Sequence, residues 1–234
     1  MAIINVEIKD AIERLLDGRK AVTFLLAVSG GPDSQVLLKA FPHVCEALEK
    51  KHNVHLKCVA AGINHGLRPE ADAELDLAEK TAEDMLFIRS RVHIDGSSNI
   101  QCKARDARYS RLIEIADANE CDYVVTAHHF DDKAETVFIR LLRGDGVGSL
   151  AVLPEVSGRI FRPLLNVTRE DIMGYIKRWS IPYAMDPSNA NLHYLRSQIR
   201  HDILPMLEMI NPRFKTRLVN LANEIMAGES TCND

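Results

Sequence analysis

Apolar and amphipathic stretches alternate along the first two thirds of the chain. Strand-like apolar runs occupy residues 24–28, 54–63, 87–94 and 123–127. Helical periodicity lies between and after them, over residues 5–17, 32–51, 70–85, 103–119 and 130–143. Pro42 is expected to kink or divide the second of these helices. Strands that alternate with helices favour an α/β fold with a doubly wound parallel sheet.

The last third of the chain reads as mostly helical. Residues 160–165 are predicted to form a last strand, and Pro163 places this strand at an edge or at a strand end. Thr168 and Asp171 then form a helix cap, after which helical patterning continues to about residue 226. We therefore expect an α/β domain over residues 1–165 and a helical C-terminal extension over residues 166–234 that completes it.

Composition limits the class of protein. Of the 234 residues, 46% are hydrophobic and 26% are charged, as in ordinary soluble globular proteins. No apolar run approaches the ~20 residues of a membrane span, and the N-terminus lacks the pattern of a secretory signal. The five cysteines are scattered without a Cys-x-x-Cys pair, which argues against a disulfide framework and a zinc site. These features predict a cytoplasmic protein with no membrane, zinc or iron–sulfur partner.

The net charge of −4 conceals an uneven distribution. Residues 67–85 carry seven acidic side chains against two basic ones, whereas residues 159–217 carry ten basic side chains against five acidic ones. Residues 103–111 hold four basic side chains and one acidic side chain. A nucleic-acid partner requires such a local basic surface. Solvated helix faces explain the same pattern, so charge alone leaves both interpretations open.

The most informative segment follows the first apolar run and reads Ser29-Gly30-Gly31-Pro32-Asp33-Ser34. Glycines permit main-chain N–H groups to approach an anion, and the helix that follows points its unpaired N–H groups at the same place. The hydroxyls of Ser29 and Ser34 add donors. The carboxylate of Asp33 can lie beside a phosphate if Mg²⁺ bridges the two negative groups. The segment matches neither the Walker loop nor the dinucleotide fingerprint.

A second polar segment, residues 128–136, lies at the end of the fourth apolar run and the start of a helix. Asp132 and Glu135 are three residues apart and share a helix face, so with Asp33 they could serve one Mg²⁺–triphosphate. A favourable interaction with the helix dipole is the alternative explanation for these acids. Asp131 is expected to cap the helix. His128 and His129 could contact phosphate or a base, and the alternative for such a pair at a strand end is a polar rim.

Two pairs of arginines complete the candidate chemistry. Arg105 and Arg108 lie one turn apart on the helix after the third apolar run, where guanidinium groups could hold phosphate. Arg196 and Arg200 are spaced i, i+4 on one helix face, which suits two adjacent phosphates. In open α/β sheets, ligands bind beyond the carboxyl ends of the strands, so these groups are expected at one edge.

The string Ser-Gly-Gly-x-Asp-Ser resembles the signature of the N-type ATP pyrophosphatases, which split ATP into AMP and diphosphate. The ordered set of motifs resembles the tRNA(Ile)-lysidine synthetase family over roughly residues 20–215. The matching strings are Ser-Gly-Gly-Pro-Asp-Ser (29–34), Asn-His-Gly-Leu-Arg-Pro-Glu (64–70), Ala-Arg-Asp-Ala-Arg-Tyr (104–109), His-His-Phe-Asp-Asp-Lys-Ala-Glu-Thr (128–136), Leu-Leu-Arg-Gly (141–144), and the segment from Asp-Pro-Ser-Asn (186–189) to Arg196–Arg200. The resemblance implies a Rossmann-like fold of the adenine nucleotide alpha hydrolase type.

The resemblance also implies a reaction. The family adenylates C2 of the wobble cytidine in an isoleucine tRNA with a CAU anticodon, and free lysine then displaces AMP. ATP and Mg²⁺ are the implied cofactors. The implied ATP-binding residues are Ser29, Gly30, Gly31, Pro32, Asp33, Ser34 and His128, and the implied metal ligands are Asp33, Asp132 and Glu135. The implied catalytic residues are Asp33, Arg108, Asp132, Glu135, Arg196 and Arg200.

The chain departs from the family pattern at three positions. Asn64 stands where the family usually has Asp, Lys133 replaces a common Gln, and Ser197 replaces the usual Asn. The alternatives are another N-type ATP pyrophosphatase, such as a tRNA thiolase or a small-molecule amidotransferase, and an inactive nucleotide-binding module. We expect no further tRNA-binding domain within these residues, and a homodimer remains one option for the oligomeric state.

Overall fold

The computed structural model describes residues 2–66, 69–93, 100–185 and 194–231. Within them, the strands are β1 (Ala21–Val28), β2 (His55–Asn64), β3 (Phe87–Arg91), β4 (Tyr123–Val125), β5 (Val156–Ser157) and β6 (Ile160–Phe161). The helices in the same ranges are α1 (Ile3–Leu16), α2 (Pro32–His52), α3 (Ala71–Ala82), α4 (Ile100–Ala118), α5 (Phe130–Arg143), α6 (Arg169–Trp179), α7 (Leu195–Gln198), α8 (Leu204–Ile210) and α9 (Phe214–Thr231).

The strands of the described residues form one sheet in the order β3-β2-β1-β4-β6-β5. The pairs from β3 to β6 are parallel, whereas β5 pairs with β6 in the antiparallel direction. The predicted parallel sheet is confirmed. The antiparallel edge strand was not predicted, because two exposed residues, Val156 and Ser157, give no periodic signal. The predicted last strand ends at Phe161, directly before Arg162 and Pro163.

Helices cover both faces of the sheet, as a doubly wound fold requires. Phe24 and Leu26 of β1 face a core formed with α1, α2 and α6. The intervening Leu25 faces the opposite core, which includes Leu112 and Ile115 of α4. This alternation follows from the two-residue period of a strand.

Helix α2 is one continuous helix of 21 residues with Pro42 inside it, so of the two predicted effects of Pro42, a kink or a division, the division does not occur. The loss of one backbone N–H is offset by burial of the helix between α1, α6 and the sheet. Phe41, next to that proline, is fully buried, and its ring lies 5.0 Å from that of Phe24.

A third core lies outside the sheet and holds the C-terminal helices against α5. It contains Val137 of α5, Ile199 and Leu204 of the helical segment around residue 200, and Leu218 and Ala222 of α9. This packing fixes the C-terminal helices beside the first turns of α5. No helix in the described ranges has the length and apolar character needed to span a bilayer.

Because β1, β4 and β6 are parallel, their carboxyl ends meet at one edge of the sheet. The backbone N–H of Thr126 donates to the carbonyl of Phe161 over 2.9 Å, and His129 forms a parallel bridge with Leu164. The loop after β1, the start of α5 and the residues after β6 therefore border the same space. This is the edge at which open α/β sheets bind ligands.

Candidate active site

The loop between β1 and α2 is held closed by its own serines. The backbone N–H of Ser29 donates to Ser34 Oγ over 3.2 Å, and Ser34 Oγ donates to the Gly31 carbonyl over 2.9 Å. Gly30 has φ +76°, and a Cβ there would lie 2.5 Å from the carbonyl oxygen of Glu74. Only glycine satisfies both conditions. The loop therefore presents main-chain N–H groups and the N-terminus of α2 to one space, as an anion site requires.

Asp33 lies in the first turn of α2, directly after Pro32, which takes the first helical position. Its side chain is 31% exposed, and its Oδ1 lies 3.4 Å from Arg169 Nη1 and 3.8 Å from His129 Nε2. Burial raises the pKa of this carboxyl, and the charges of His129 and Arg169 oppose that change. These long contacts leave carboxylate oxygens of Asp33 accessible beside the anion site.

Helix α5 is capped differently from the prediction. His129 is the N-cap residue, and its backbone N–H donates to Asp132 Oδ2 over 3.1 Å. The prediction that Asp131 is the cap is wrong, because this residue lies inside the helix and its carboxylate turns towards two other elements. It accepts the backbone N–H of Arg169 over 2.8 Å and Lys215 Nζ over 2.9 Å. Asp131 thereby joins α5 to the start of α6 and to α9.

The imidazole of His129 occupies the centre of the acidic groups and is 1% exposed. Carboxylate oxygens of three residues lie 3.5–3.8 Å from its ring nitrogens: Asp33, Asp131 and Asp132. Burial lowers the pKa of this ring, but the surrounding carboxylates outweigh burial and raise it above its ordinary value. The three carboxylates thus favour the protonated form of His129, in which positive charge lies where three negative groups converge.

Two arginines from the C-terminal helices bind the remaining acids of α5. Glu135 is 1% exposed and accepts from Arg196 Nε at 2.8 Å and from Arg200 Nε at 2.5 Å. Arg200 Nη2 adds a second hydrogen bond to Glu135 at 2.9 Å. Asp132 Oδ1 lies 3.2 Å from Nη2 of each arginine. The four residues form one polar cluster, which we call the carboxylate–arginine cluster.

The predicted helix face of Arg196 and Arg200 is confirmed, with one local difference. Arg196 belongs to α7, whereas Arg200 lies in a π-helical turn that spans Ile199–Ile203 and leads into α8. Ile199 within this turn is fully buried in the third core. Such turns widen the helix locally and occur often at functional sites. Here the turn lets both guanidinium groups reach Glu135.

The carboxylates at this site suit Mg²⁺ only if phosphate oxygens supply further ligands. No three His, Cys, Asp or Glu side chains of the described residues are arranged to enclose a metal by themselves. Both oxygens of Glu135 accept from arginines, whereas Asp33 keeps oxygens accessible beside the loop. Mg²⁺ commonly takes one or two carboxylates and completes its shell with phosphate oxygens and water. Asp33 suits that role, and metal binding by Asp132 and Glu135 stays a prediction.

Comparison with known proteins assigns this loop and its fold to a family. The family model described as the PP-loop domain matches residues 4–207. This chain belongs to the PP-loop family. Curated relatives include the tRNA(Ile)-lysidine synthase of Haemophilus ducreyi, 38% identical over 209 residues, which are 87% of this chain and 46% of the relative. The tRNA(Ile)-lysidine synthase of Treponema denticola is 36% identical over 196 residues, which are 79% of this chain and 41% of the relative.

Among solved structures, the chain is similar to a U34-tRNA thiolase of Methanococcus maripaludis that holds a 4Fe-4S cluster. The TM-score is 0.74 with 20% identity, over 96% of this chain and 80% of that chain. At this identity the likeness concerns the fold alone, and it agrees with the doubly wound PP-loop architecture. The chain spans about half the length of the curated relatives that it matches.

The two remaining candidates described at this edge, His128 and Arg108, both have lowered pKa values. His128 Nδ1 lies 2.8 Å from Thr126 Oγ1, and burial, reinforced by nearby arginines, lowers the pKa of this ring to about 4. His128 is therefore neutral at pH 7 and can exchange hydrogen bonds without carrying charge. Arg108 is half-buried on α4, and burial followed by repulsion from Arg105 lowers its pKa despite the opposing effect of Tyr109.

Sequence reasoning missed Arg169 and Lys215 as contributors to the PP-loop site, and it named His129 only as a candidate contact for phosphate or a base. Arg169 follows a recognised cap, but no local pattern shows that Asp131 holds it beside Asp33. The central position of His129 and the role of Lys215 likewise depend on the approach of α6 and α9 to α5. Only long-range packing, or a comparison of many related sequences, carries such information.

Several predicted segments of the edge lie wholly or partly outside the described residues. These are the Asp-Pro-Ser-Asn string at 186–189, residues 67–68 of the second motif, and residues 94–99 after β3. Asn64 is described, and its side chain donates to Asp72 Oδ1 over 2.5 Å and accepts from the Gly66 N–H over 2.7 Å. This departure from the family pattern thus orders the turn after β2.

Proposed function

We propose that this chain ligates lysine to C2 of the wobble cytidine in an isoleucine tRNA with a CAU anticodon, releasing AMP and diphosphate in the cytoplasm. The observation that carries the proposal is the carboxylate–arginine cluster beside the PP-loop. It joins α5 to residues 196–200, near the end of the region that matches the PP-loop domain. A module that only holds a nucleotide has no need of this buried, charge-balanced cluster.

In this proposal the loop from Ser29 to Ser34 holds the triphosphate through its N–H groups and hydroxyls. Asp33 would hold Mg²⁺, which when bound neutralises charge on the triphosphate and on the departing diphosphate. His128, being neutral, can donate to or accept from the nucleotide or the base. Arg108, Arg196 and Arg200 supply positive charge, and Arg196 is 39% exposed and so remains accessible to substrate.

The carboxylate–arginine cluster also suits the second half of the reaction. An amine substrate needs carboxylates that can accept from its ammonium group and a low-dielectric setting that favours loss of a proton. Asp132 and Glu135 provide the carboxylates at the carboxyl edge of the sheet. For the substrate amine to bind there, Arg196 and Arg200 would have to give up some of their hydrogen bonds to Asp132 and Glu135. The side chains of this cluster would therefore rearrange during the reaction.

The deciding experiment measures diphosphate release from Mg·ATP and incorporation of radiolabelled lysine into RNA. The substrates are an isoleucine tRNA with a CAU anticodon and, as the matched control, a methionine tRNA with the same anticodon. Release and incorporation that both depend on the isoleucine tRNA support the proposal. Release without incorporation indicates another nucleophile, as in the tRNA thiolases or amidotransferases. Absence of release with every substrate contradicts the proposal for this chain.

A further inference from the structure

A buried arginine that the proposed reaction does not use lies at the carboxyl edge of the sheet. Arg162 directly follows β6 and is 7% exposed. Its Nη1 donates to the Pro154 carbonyl over 2.8 Å, and the nearby Tyr109 hydroxyl raises its pKa against the larger, lowering effect of burial. Its Nε–H is buried without a hydrogen-bond partner. Both groups are neutral, and no carboxylate pairs with this guanidinium within the described part of the chain.

A second buried cation lies near the first. Lys133 is 4% exposed, and its Nζ donates to Asn223 Oδ1 over 2.6 Å, again a neutral partner. Burial lowers the pKa of Lys133, and the charge of Arg162 lowers it further. Arg105 in turn repels Arg162. Within the described residues, Arg162 and Lys133 therefore have no ion pair with an acid, in contrast to the arginines of the carboxylate–arginine cluster.

An uncompensated buried guanidinium is costly, because the group gives up its hydration without gaining an opposite charge. Arginine does not escape this cost by losing its proton, since its pKa stays far above neutral. A free Nε–H on a planar guanidinium is half of the fork that binds planar or tetrahedral oxyanions through two hydrogen bonds. The arrangement therefore calls for an anion that is not part of the described chain.

The position of Arg162 identifies which anion can reach it. The N–H of Thr126 bonds to the carbonyl of Phe161, the residue before Arg162, over 2.9 Å. Arg162 therefore lies beside the strand that leads to His128, at the carboxyl edge of the sheet. Its deep burial admits a terminal group of a small molecule more readily than the backbone of a polymer.

We propose that Arg162 binds an oxyanion of a small substrate, with Lys133 supplying a second positive charge. The identity of the substrate rests on the proposed function, which offers two sources of this chemistry. One is the α-carboxylate of lysine, and the other is a phosphate group of ATP. This binding breaks no covalent bond and transfers no group. Arg162 is a positioning residue for the substrate that carries the anion.

The test compares Arg162→Met and Arg162→Lys with wild type by calorimetric titration. Arg178→Met is the matched control, since Arg178 is an exposed arginine on α6. The probes are L-lysine, cadaverine, which has the same diamine chain without the carboxylate, and Mg·ATP. We expect Arg162→Met to weaken one probe about 10- to 100-fold, the range for hydrogen bonds to charged groups, and Arg162→Lys to weaken it less. The control should bind all probes as wild type does.

The pattern of losses identifies the source. If the affinity for L-lysine falls while the affinities for cadaverine and Mg·ATP are unchanged, Arg162 binds the α-carboxylate of lysine. If the affinity for Mg·ATP falls while the affinity for L-lysine is unchanged, Arg162 binds a phosphate group of ATP. Wild-type affinity of Arg162→Met for every probe overturns the proposal, as does an equal loss for all of them. If Arg162→Met does not fold, Arg162→Lys decides by the same criteria.

Stability gives an independent readout. If Arg162 is retained for an anion, Arg162→Met should melt at or above the temperature of the wild type without ligand, because a buried uncompensated charge is removed. A lowered melting temperature together with unchanged affinities indicates a purely structural arginine and overturns the proposal. These measurements need no tRNA and no turnover. Failure of the lysidine reaction would therefore leave the oxyanion site separately testable.

Discussion

Removal of Arg200 should destabilise the fold by leaving a buried carboxylate poorly compensated. Glu135 is 1% exposed and accepts three hydrogen bonds from arginines, of which Arg200 supplies two, at 2.5 and 2.9 Å. In Arg200→Met, only the 2.8 Å bond from Arg196 remains. The charge of Glu135 then stays buried with one guanidinium, which itself is 39% exposed.

The size of the effect follows from the exposure of the partners. Breaking a fully buried ion pair costs about 3–5 kcal/mol, and each hydrogen bond to a charged group contributes about 1.5–3 kcal/mol. The side chain of Arg200 is 26% exposed, so water can replace part of what is lost. We therefore expect Arg200→Met to lower the free energy of unfolding by about 2–3 kcal/mol.

The assay is urea unfolding followed by far-UV circular dichroism, since the single tryptophan is 55% exposed and reports poorly on the core. The matched variants are Glu135→Gln and the double variant Glu135→Gln/Arg200→Met. Neutral Gln removes the uncompensated charge, so the double variant should be more stable than the sum of the two losses predicts, by about 1–3 kcal/mol. A loss below about 0.5 kcal/mol for Arg200→Met, or simple additivity, would refute this account of the cluster.

Three further predictions concern the loop and the acids beside it. Gly30→Ala should destabilise the fold and abolish Mg·ATP binding, since its φ is +76° and a Cβ would clash with a carbonyl, whereas Gly31→Ala should retain stability in the same urea assay. Asp33→Asn should keep the far-UV spectrum and lose diphosphate release, so near wild-type turnover contradicts the metal role. The contacts of Asp131, led by His129, hold its pKa below the ordinary 3.8 although burial raises it. Because the folded pKa is depressed, this carboxylate stabilises the fold above its unfolded pKa, so the stability gap to Asp131→Asn should shrink below about pH 4.

The fold could be predicted from local pattern because its signals are local. The apolar period of β1 and the glycine turn after it specify a strand, a tight loop and a helix within fifteen residues. The four strand–helix repeats from β1 to α5 lie within a few residues of their predicted bounds. The two-residue strand β5 escaped prediction because its pairing with β6 depends on hairpin geometry and carries no hydrophobic alternation.

The sequence predicted which residues belong to the site, but not which of them pair with one another. Asp132, Glu135, Arg196 and Arg200 were identified as charged groups at the edge, and the structure brings all four together. Their pairing with one another, 61–68 residues apart in sequence, follows from the third core and the π-helical turn, which no local pattern reveals. The misassigned cap at Asp131 has the same origin, because a helix-start signal cannot show that α6 and α9 approach the same carboxylate.

The charges at the sheet edge are balanced in two different ways. The acids of α5 are paired with His129, Arg196 and Arg200, so their charge is offset within the protein itself. Arg162 has no acidic partner among the described residues, so the oxyanion of the proposed substrate would offset a charge that these residues leave uncompensated. A cationic substrate must therefore compete at Asp132 and Glu135 with arginines that are already in place, whereas an anionic substrate at Arg162 has no ion pair to break.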